Sequence, residues 1–345
     1  MGKLILVLLF MLNLVSNFNG QCAVSDSNEN WMERLGYIIN DRPIKDIFMP
    51  GTHDSGTGNM SELYAIISND GKTTSLAKII TKKLIPWCKT QDYIIIDQLK
   101  MGVRFLDFRP SLEDDGRFYL THGLRGEDLE KVLKDIVGFC KKHPKELVII
   151  KIKGFRDADK YDRYNSMLIE ILQKYLSSLV LHRSNLKTPL PLTKLSDILA
   201  KQKNIIIIFD TRVSKGTNRD MKRELKLNDW LFDMGVIDSY FADTYSVPEL
   251  YRRLKMHNLV VSSKKLYALH YTLTANARYI VSHLNSSDGI WYFAQKLDGG
   301  KEYRKNYSLS SLISALNPKG CIILQDFMTP EKADFVIRLN ERRTN

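Results

Sequence analysis

Eight short apolar runs recur along the 345-residue chain, and this recurrence is the feature that most restricts its fold. Several of them, such as "ELVIIKIKGF" and "NIIIIFD", are continuous aliphatic stretches, which is typical of parallel strands buried on both faces. The predicted strands span residues 44–51, 102–110, 117–123, 146–155, 204–210, 236–243, 265–273 and 320–328.

Amphipathic stretches separate most of these strands. Residues 129, 132, 133, 136, 137 and 140 are apolar at helical spacing, and further helices are predicted in 161–180, 247–257 and 308–316. This alternation predicts an α/β fold, a single-domain (β/α) TIM-type barrel. The link "SLEDDG" between the second and third strands is too short for a helix, so that pair is antiparallel or the barrel is irregular.

The first twenty residues place one lysine before a long uncharged run, the pattern of a secretory signal peptide. We therefore expect residues 1–20 to be a signal peptide, 21–345 to be the catalytic barrel, and the protein to be soluble, secreted and extracellular. Sequons at Asn59, Asn285 and Asn306 predict a glycoprotein. An oxidising compartment permits one or two disulfides, in any of three full pairings, among Cys22, Cys88, Cys140 and Cys321.

The formal net charge of +12 favours anionic partners. Outside a cell these are acidic phospholipids and glycans rather than nucleic acid. The charge is spread in pairs without a long basic tract, so solvated surfaces account for most of it. We expect transient peripheral contact with anionic membrane through lysines and exposed aromatic residues at the rim. Trp87 in "LIPWCKT" is either one of these contacts or a packed side chain.

Polar residues close nearly every predicted strand, and in barrel enzymes the chemistry lies at the carboxyl ends of the strands. Each residue also has a purely structural interpretation: a salt bridge for Asp107 and Arg109, a helix cap for Asp210, and a hydrogen-bonded core histidine for His270. The strand-end residues are His53, Asp54, Asp107, Arg109, His122, Lys153, Asp210, Asp243, Tyr245, His270, Tyr271 and Asp326.

Two histidines, several carboxylates and an arginine at one rim suit cleavage of a phosphodiester. One imidazole takes a proton from the attacking hydroxyl, the other gives a proton to the leaving oxygen, and the guanidinium neutralises charge on the phosphoryl oxygens. Carboxylates behind the imidazoles would fix their tautomers. The glycines of "DIFMPGTHDSGTG" are expected to let this loop pass close to the phosphate.

Three motifs, "MPGTHDSGTG", "GVRFLDFR" and "FYLTHG", together resemble the X domain of phosphatidylinositol-specific phospholipase C. The likeness extends from about Trp31 to Phe335 and is nearest to the small single-domain branch, the bacterial enzymes and the eukaryotic X-domain-containing proteins. It implies a phosphoric diester hydrolase with a TIM barrel. It also implies cleavage of phosphatidylinositol, or of a glycosylphosphatidylinositol anchor, to diacylglycerol and inositol 1,2-cyclic phosphate.

The resemblance assigns a role to each matching position. It makes His53 the general base, oriented by Asp326, and His122 the general acid, supported by Asp54. Because Asp54 then serves His122, the adjacent His53 and Asp54 belong to two separate relays. Arg109, with Asp107 beside it, would bind the phosphate, and Lys153, Asp243 and Tyr245 would contact inositol. The family's inositol-binding arginine has no counterpart in "IIFDTR", which leaves the headgroup open.

Cations occupy two positions that are calcium ligands in the large signalling phospholipases. Those enzymes carry Asn, Asp and Glu where this chain has Asp54, Arg109 and Lys153, and the last two of those positions bind calcium. A guanidinium and an ammonium there would repel a hard cation. The resemblance therefore implies calcium-independent cleavage without a metal or cofactor.

Two alternatives remain open at this point. The first is a metal-dependent barrel phosphodiesterase of the glycerophosphodiesterase or sphingomyelinase D type, which needs a carboxylate cluster for magnesium and is disfavoured by Arg109. The second is a catalytically weak secreted protein that binds phospholipid, which is disfavoured by the intact pair His53 and His122.

Overall fold

A computed structural model describes residues 28–60, 81–153, 162–210, 224–286, 288–298 and 307–343. The predicted signal peptide, Cys22 and Asn306 lie outside these residues. The strands are β1 Met49–Thr52, β2 Phe105–Phe108, β3 Pro110–Leu112, β4 Phe118–His122, β5 Leu124–Asp128, β6 Val148–Lys153, β7 Ile205–Asp210, β8 Leu231–Asp233, β9 Ile237–Tyr240, β10 Leu266–His270 and β11 Ile322–Gln325.

Helices cover the outside of the sheet and the ends of the fold. Those we label are α1 Trp31–Arg34, α2 Gly36–Ile39, α3 Thr81–Cys88, α4 Ile95–Lys100, α5 Leu129–Lys142, α6 Asp162–Leu176, α7 Leu195–Leu199, α8 Val247–Asn258, α9 Ala277–Ser282, α10 Ile290–Leu297, α11 Leu309–Leu316 and α12 Pro330–Arg338. The four predicted helical stretches correspond to α5, α6, α8 and α11. Helix α5 begins where the Asp128 side chain accepts a hydrogen bond from the Lys131 backbone N–H.

Eight parallel strands form one sheet in the order β8-β7-β6-β2-β1-β11-β10-β9. The sheet curls, because Phe232 of β8 and Ile237 of β9, at its two edges, belong to the same buried cluster as Met49 in the centre. Within the described strands no hydrogen-bonded ladder joins β8 to β9. The predicted TIM-type (β/α) barrel is confirmed, and its irregularity is this open seam.

Alternation along the strands explains their continuous aliphatic sequences. In β6, Ile149 belongs to the cluster inside the barrel, whereas Ile150 and Ile152 pack outward with α5 and α6. A strand that faces apolar neighbours on both sides needs apolar residues at consecutive positions.

One predicted barrel strand was wrong. Residues 117–123 contain β4, which is the middle strand of a separate antiparallel sheet, β3-β4-β5. A tight hairpin, with Gly116 at φ 76°, turns the chain back directly after β3. The eighth barrel strand is instead β8, whose three residues are too few to give a recognisable apolar run.

The amino-terminal end of the barrel is closed by a buried ion pair. Arg104, just before β2, donates from Nε and Nη2 to Glu146 Oε2 at 2.9 and 2.7 Å. Glu146 also accepts the backbone N–H groups of Met32 and Glu33, which fixes α1 beneath the barrel. The Trp31 indole N–H completes this contact by donating to the Gly102 carbonyl at 2.9 Å.

Two further expectations bear on the secretory route. No disulfide joins any two of Cys88, Cys140 and Cys321, so a bridge of the predicted kind would have to involve Cys22, outside the described residues. None of the helices in the described part of the chain combines the length and the apolar character needed to cross a bilayer.

Candidate active site

A cavity of about 470 Å³ opens at the carboxyl ends of the barrel strands, where the sequence placed the chemistry. Asp54 lies directly beneath it and is fully buried. Tyr245 does not line it: this side chain is 46% exposed and packs against Tyr279 at the rim. The predicted site residues that line the cavity are His53, Asp107, Arg109, His122, Lys153, Asp243 and Asp326.

His53 follows β1, and its ring is oriented from the neighbouring strand β11. Its Nδ1 lies 3.0 Å from Asp326 Oδ1, and its backbone N–H donates to the Gln325 carbonyl at 3.3 Å. A carboxylate can only accept, so the proton lies on Nδ1 in the neutral ring. The other nitrogen, Nε2, is then the basic atom, and Arg109 Nη2 lies 3.1 Å from it.

Asp54 contacts both histidines, so the two relays are not separate. Its Oδ2 lies 3.4 Å from His53 Nε2 and 3.3 Å from His122 Nε2, and its Oδ1 is ion-paired with Arg109 Nε. The backbone adopts the left-handed region at this residue, with φ 42°. One buried carboxylate therefore lies between two imidazoles and a guanidinium.

His122 reaches the cavity from the antiparallel hairpin instead of from a barrel strand. It ends β4, and its Nδ1–H donates to the Cys88 carbonyl at 2.8 Å. Its ring centroid is 6.3 Å from that of His53. The third predicted strand was thus misassigned to the barrel, yet its histidine lies in the cavity.

The charges around His53 set its pKa. Burial disfavours the imidazolium, but the carboxylates of Asp54 and Asp326 outweigh burial and raise the pKa above its ordinary value. For Asp54, burial acts in the opposite direction to Arg109 and the two histidines, and the net pKa is lowered. The site therefore combines an ionised carboxylate with an imidazole whose protonated form is stabilised by its neighbours.

Lys151 was missed by the sequence analysis. It lies two residues before Lys153 on β6, faces the cavity, and pairs with Asp107 at 3.0 Å. Burial would raise the pKa of Asp107, but Lys151 and Arg109 outweigh burial and hold it below its usual range. The period-two alternation of a strand, which puts 151 and 153 on one face, was the available signal.

Three of these residues have metal-ligand spacing. Donor atoms of His53, Asp54 and Asp107 lie within 4.8 Å of one another. Each carboxylate, however, already contacts a fixed cation: Arg109 at Asp54 and Lys151 at Asp107. The donor set fits internal cations better than a hard divalent ion, which needs several such oxygens for itself.

His270 is buried, as the core-histidine interpretation expected, but it also lines the cavity. Its Nε2 lies 2.8 Å from Ser239 Oγ, and its ring centroid is 6.0 Å from that of His53. Burial and the nearby Lys151 keep its pKa well below the ordinary value, so the ring is neutral. The neighbouring Phe241 stacks on His53, with centroids 5.8 Å apart.

The remaining predicted residues occupy the far side of the cavity. Lys153 has a lowered pKa because Arg109 and burial disfavour its charge. Asp210 is its register partner on β7 and lines the same wall. Asp243 lines the cavity from a left-handed backbone position, φ 49°. Acidic and basic groups thus alternate around a space open to a polar ligand.

Two glycines of the first motif, Gly56 and Gly58, make close contacts with other parts of the protein. A Cβ on Gly56 would lie 2.2 Å from the Leu120 side chain of β4, and one on Gly58 would lie 2.2 Å from the Tyr93 carbonyl. Gly56 lets the hairpin that carries His122 pack closely on the loop that carries His53, and Gly58 lets the backbone before α4 approach the same loop. The close approach at Gly56 brings the strand that carries His122 next to the loop that carries His53.

Comparison with known proteins agrees with this architecture. Residues 66–204 match the family described as phosphatidylinositol-specific phospholipase C, X domain, a segment that includes Arg109 and His122 and begins after His53. A PI-PLC X-box domain-containing protein of Dictyostelium discoideum is 27% identical over 70% of this chain and 32% of its own length. A 1-phosphatidylinositol phosphodiesterase of Staphylococcus aureus is 26% identical over 49% of this chain and 45% of its own.

Solved structures extend the likeness in fold. The phosphatidylinositol-specific phospholipase C of Listeria monocytogenes superposes with a TM-score of 0.54 at 20% identity, over 90% of this chain and 98% of the other. A structure of the Staphylococcus aureus enzyme gives a TM-score of 0.58 at 17% identity, over 93% and 99%. The curated relatives above are matched over only a third to just under half of their own length. The predicted resemblance is confirmed: residues 66–204 match the X domain of phosphatidylinositol-specific phospholipase C, and the barrel is similar in fold to the bacterial phospholipase C structures.

Proposed function

We propose that this protein cleaves phosphatidylinositol, or a glycosylphosphatidylinositol lipid, into diacylglycerol and inositol 1,2-cyclic phosphate. The observation that carries the proposal is a pair of imidazoles in one cavity, each with Nδ1 bound to a fixed acceptor, around a shared aspartate and arginine. The names of the bacterial relatives support the substrate class.

The proposed reaction is an internal displacement at phosphorus. The inositol 2-hydroxyl oxygen bonds to phosphorus while the bond from phosphorus to the diacylglycerol oxygen breaks. His53 Nε2 accepts the hydroxyl proton, and protonated His122 gives a proton to the diacylglycerol oxygen. Each proton transfer of this kind contributes about 10²- to 10⁴-fold in rate. Arg109 neutralises the charge that develops on the phosphoryl oxygens.

The inositol ring would occupy the wall formed by Lys153 and Asp243. The cavity volume of about 470 Å³ is within the range of small-molecule sites. The resemblance assigns Tyr245 to inositol, but this side chain lies at the rim. We therefore place it beside the part of the lipid that leaves the cavity, farther from the inositol ring. The cations already beside Asp54 and Asp107 support cleavage without calcium.

We further propose that exposed apolar residues at the cavity mouth touch the membrane. Val281, Trp291 and Tyr292 are exposed on α9 and α10, next to Ile280 and Ile290 of the cavity wall. The net charge of +12 would favour an anionic bilayer. Trp87, named from sequence as either a contact or a packed side chain, is buried against Tyr279 and Phe293, so the packed alternative is confirmed. Secretion is proposed from the first twenty residues alone.

The test is incubation of the purified protein with vesicles of phosphatidylinositol and, separately, of a glycosylphosphatidylinositol lipid, each with and without chelator, while the cyclic phosphate product is followed by phosphorus NMR. We expect product in both arms and a loss of about 10³-fold for His53→Ala, within the usual range for a general base. His143→Ala is the control, because this buried histidine pairs with Glu29 at the opposite end of the barrel.

Each contrary result has its own meaning. Activity that disappears in chelator and returns with calcium contradicts the metal-free mechanism. Absence of product from the wild-type protein with either lipid class contradicts the proposed function and favours phospholipid binding without cleavage.

A further inference from the structure

The segment Cys88–Gln91, which starts at the last residue of α3 and leads toward α4, contacts both histidines of the candidate site. No motif or strand end in the sequence drew attention to it. In the structure it runs beneath the loops that follow β1 and β11, and it is hydrogen-bonded to each of them and to His122. We call Cys88–Gln91 the bracket segment.

Gln91 joins the two loops through one side chain. Its Nε2 donates to the His53 carbonyl and to the Gln325 carbonyl, each at 3.0 Å. Its Oε1 accepts from the Met328 backbone N–H at 3.0 Å. These three bonds flank His53 on one side and Asp326 on the other. The amide therefore spans the pair of residues whose own hydrogen bond orients the basic imidazole.

Thr90 repeats the connection with different atoms. Its hydroxyl lies 3.1 Å from the His53 carbonyl and 3.0 Å from the Asp54 carbonyl. Its own carbonyl accepts from the Phe327 backbone N–H at 2.7 Å. Two residues before Thr90, the Cys88 carbonyl accepts from His122 Nδ1 at 2.8 Å. The bracket segment thus touches the backbone or ring of both imidazole relays.

The loops held in this way have uncommon backbone conformations. Asp54 and Phe327 adopt positive φ values of 42° and 48°, on either side of the bracket segment. Non-glycine residues persist in this region only when their surroundings fix them. Without the bonds from Thr90 and Gln91, each loop would be free to relax, and the His53 to Asp326 distance would change with it.

We propose that Gln91 and Thr90 are positioning residues that set the distance and angle between His53 and Asp326 by binding both loops at once. Their effect on turnover rests on the proposed function. Their effect on the geometry of His53 does not, and it is measurable without any substrate.

The chain supplies a matched control in Gln98. Gln91 is 1% exposed and Gln98 is 0% exposed, and each amide makes three hydrogen bonds. Gln98 Nε2 donates to the Ser55 and Tyr93 carbonyls at 2.8 and 2.6 Å, and its Oε1 accepts from Thr52 at 2.8 Å. It stabilises the same loop but does not bridge to β11. Equal loss of stability with unequal loss of turnover is therefore the signature of positioning.

The kinetic test compares Gln91→Met with Gln98→Met. Both should lower the melting temperature by similar amounts, because each loses three buried hydrogen bonds. Only Gln91→Met should lower kcat, by about 10-fold or more with little change in KM, since displacements of about 1 Å cost up to ~10²-fold. Thr90→Val should behave like Gln91→Met, and Thr90→Ser, which keeps the hydroxyl, should restore kcat. The Thr90 pair decides the test if Gln91→Met does not fold.

The second readout is titration of the imidazoles by NMR in the absence of substrate. His53 is faced by groups from every neighbouring element: Asp54, Asp326, Arg109, His122 and His270. Asp326 raises the pKa of His53, so Gln91→Met should move this pKa down, and Gln98→Met should not.

An unchanged His53 titration and unchanged kcat in folded Gln91→Met and Thr90→Val would overturn the proposal. A shifted titration in a protein that cleaves no phosphoinositide would instead support positioning while the proposed function fails.

Discussion

Two arginines five residues apart, at opposite ends of β2, show how one residue type serves two purposes. Arg104 is 0% exposed at the amino-terminal end, and its donors are bound by Glu146 and by the Leu99 and Val103 carbonyls. Arg109 is 25% exposed at the carboxyl end, where it meets Asp54, His53 and the cavity. Both neutralise a buried carboxylate. Only the second does so at a surface that a ligand can reach.

The contrast is one of enclosure. Glu146 is bound by Arg104 and two backbone N–H groups. The charges of Arg104 and Glu146 therefore face protein on every side and contribute only to the stability of the fold. Asp54 is bound by Arg109 and by two imidazoles, side chains that accept and donate protons in catalysis. A carboxylate that is paired with imidazoles lining a cavity can take part in proton transfer.

The largest expected effect comes from breaking the ion pair between Arg104 and Glu146 at the amino-terminal end of the barrel. Arg104→Met leaves Glu146 buried without its cation, which should lower the free energy of unfolding by about 3–5 kcal/mol. Turnover per folded molecule should not change, because the cavity lies at the other end of the barrel. Denaturant unfolding and kcat at low temperature measure the two quantities. The double variant Arg104→Met, Glu146→Met should recover most of the stability, and failure to recover any would show that packing rather than charge is lost.

Breaking the ion pair between Arg109 and Asp54 should reduce turnover more than it reduces stability. Arg109→Met should lower kcat by about 10²-fold, which corresponds to about 2.7 kcal/mol of transition-state stabilisation. The positive charge of Arg109 lowers the pKa of His53, so its removal should also move the acidic limb of the pH–rate profile to higher pH. A melting temperature that falls as far as in Arg104→Met, with turnover intact, would refute the distinction between the two arginines.

The smallest effect expected is in acid. The pKa of Asp107 is depressed below its ordinary 3.8, so its pairing with Lys151 stabilises the fold above that pH and is lost as the pH falls through the depressed value. Unfolding free energy should fall there with a slope of up to ~1.4 kcal/mol per pH unit for this one carboxylate. In Asp107→Asn, the unfolding free energy should fall less steeply with pH between pH 4 and 2 than in the wild-type protein. Equal slopes in urea titrations of the two proteins would contradict the assignment.

The sequence predicted the fold wherever a pattern was long enough to repeat. Seven of the eight predicted strands are in the barrel, and α5, α6, α8 and α11 lie where helical spacing placed them. The failures were β4 and β8. A hairpin strand such as β4 and a barrel strand have the same local composition, and the three residues of β8 are too few to show a periodicity. In both cases the sheet is decided by which strands pair, and pairing cannot be read from a short local pattern.

The candidate site was predicted through its motifs and missed where no motif exists. His53, His122 and Asp326 could be named because polar residues end apolar runs. Lys151 was overlooked beside Lys153. The bracket segment was not recognised, because its contacts with the candidate site join residues between 34 and 237 positions apart and follow no local pattern.

The sequence by itself determined that parallel strands would alternate with helices and that imidazoles, carboxylates and a guanidinium would share one end of the barrel. Periodicity and strand direction are local properties, so they can be read from neighbouring residues. Only the tertiary structure decided that Asp54 contacts both imidazoles, that the motif's glycines accommodate a hairpin, and that Arg104 and Arg109 differ. Those outcomes depend on which groups from distant parts of the sequence pack around a given residue, and this is decided only when the chain folds.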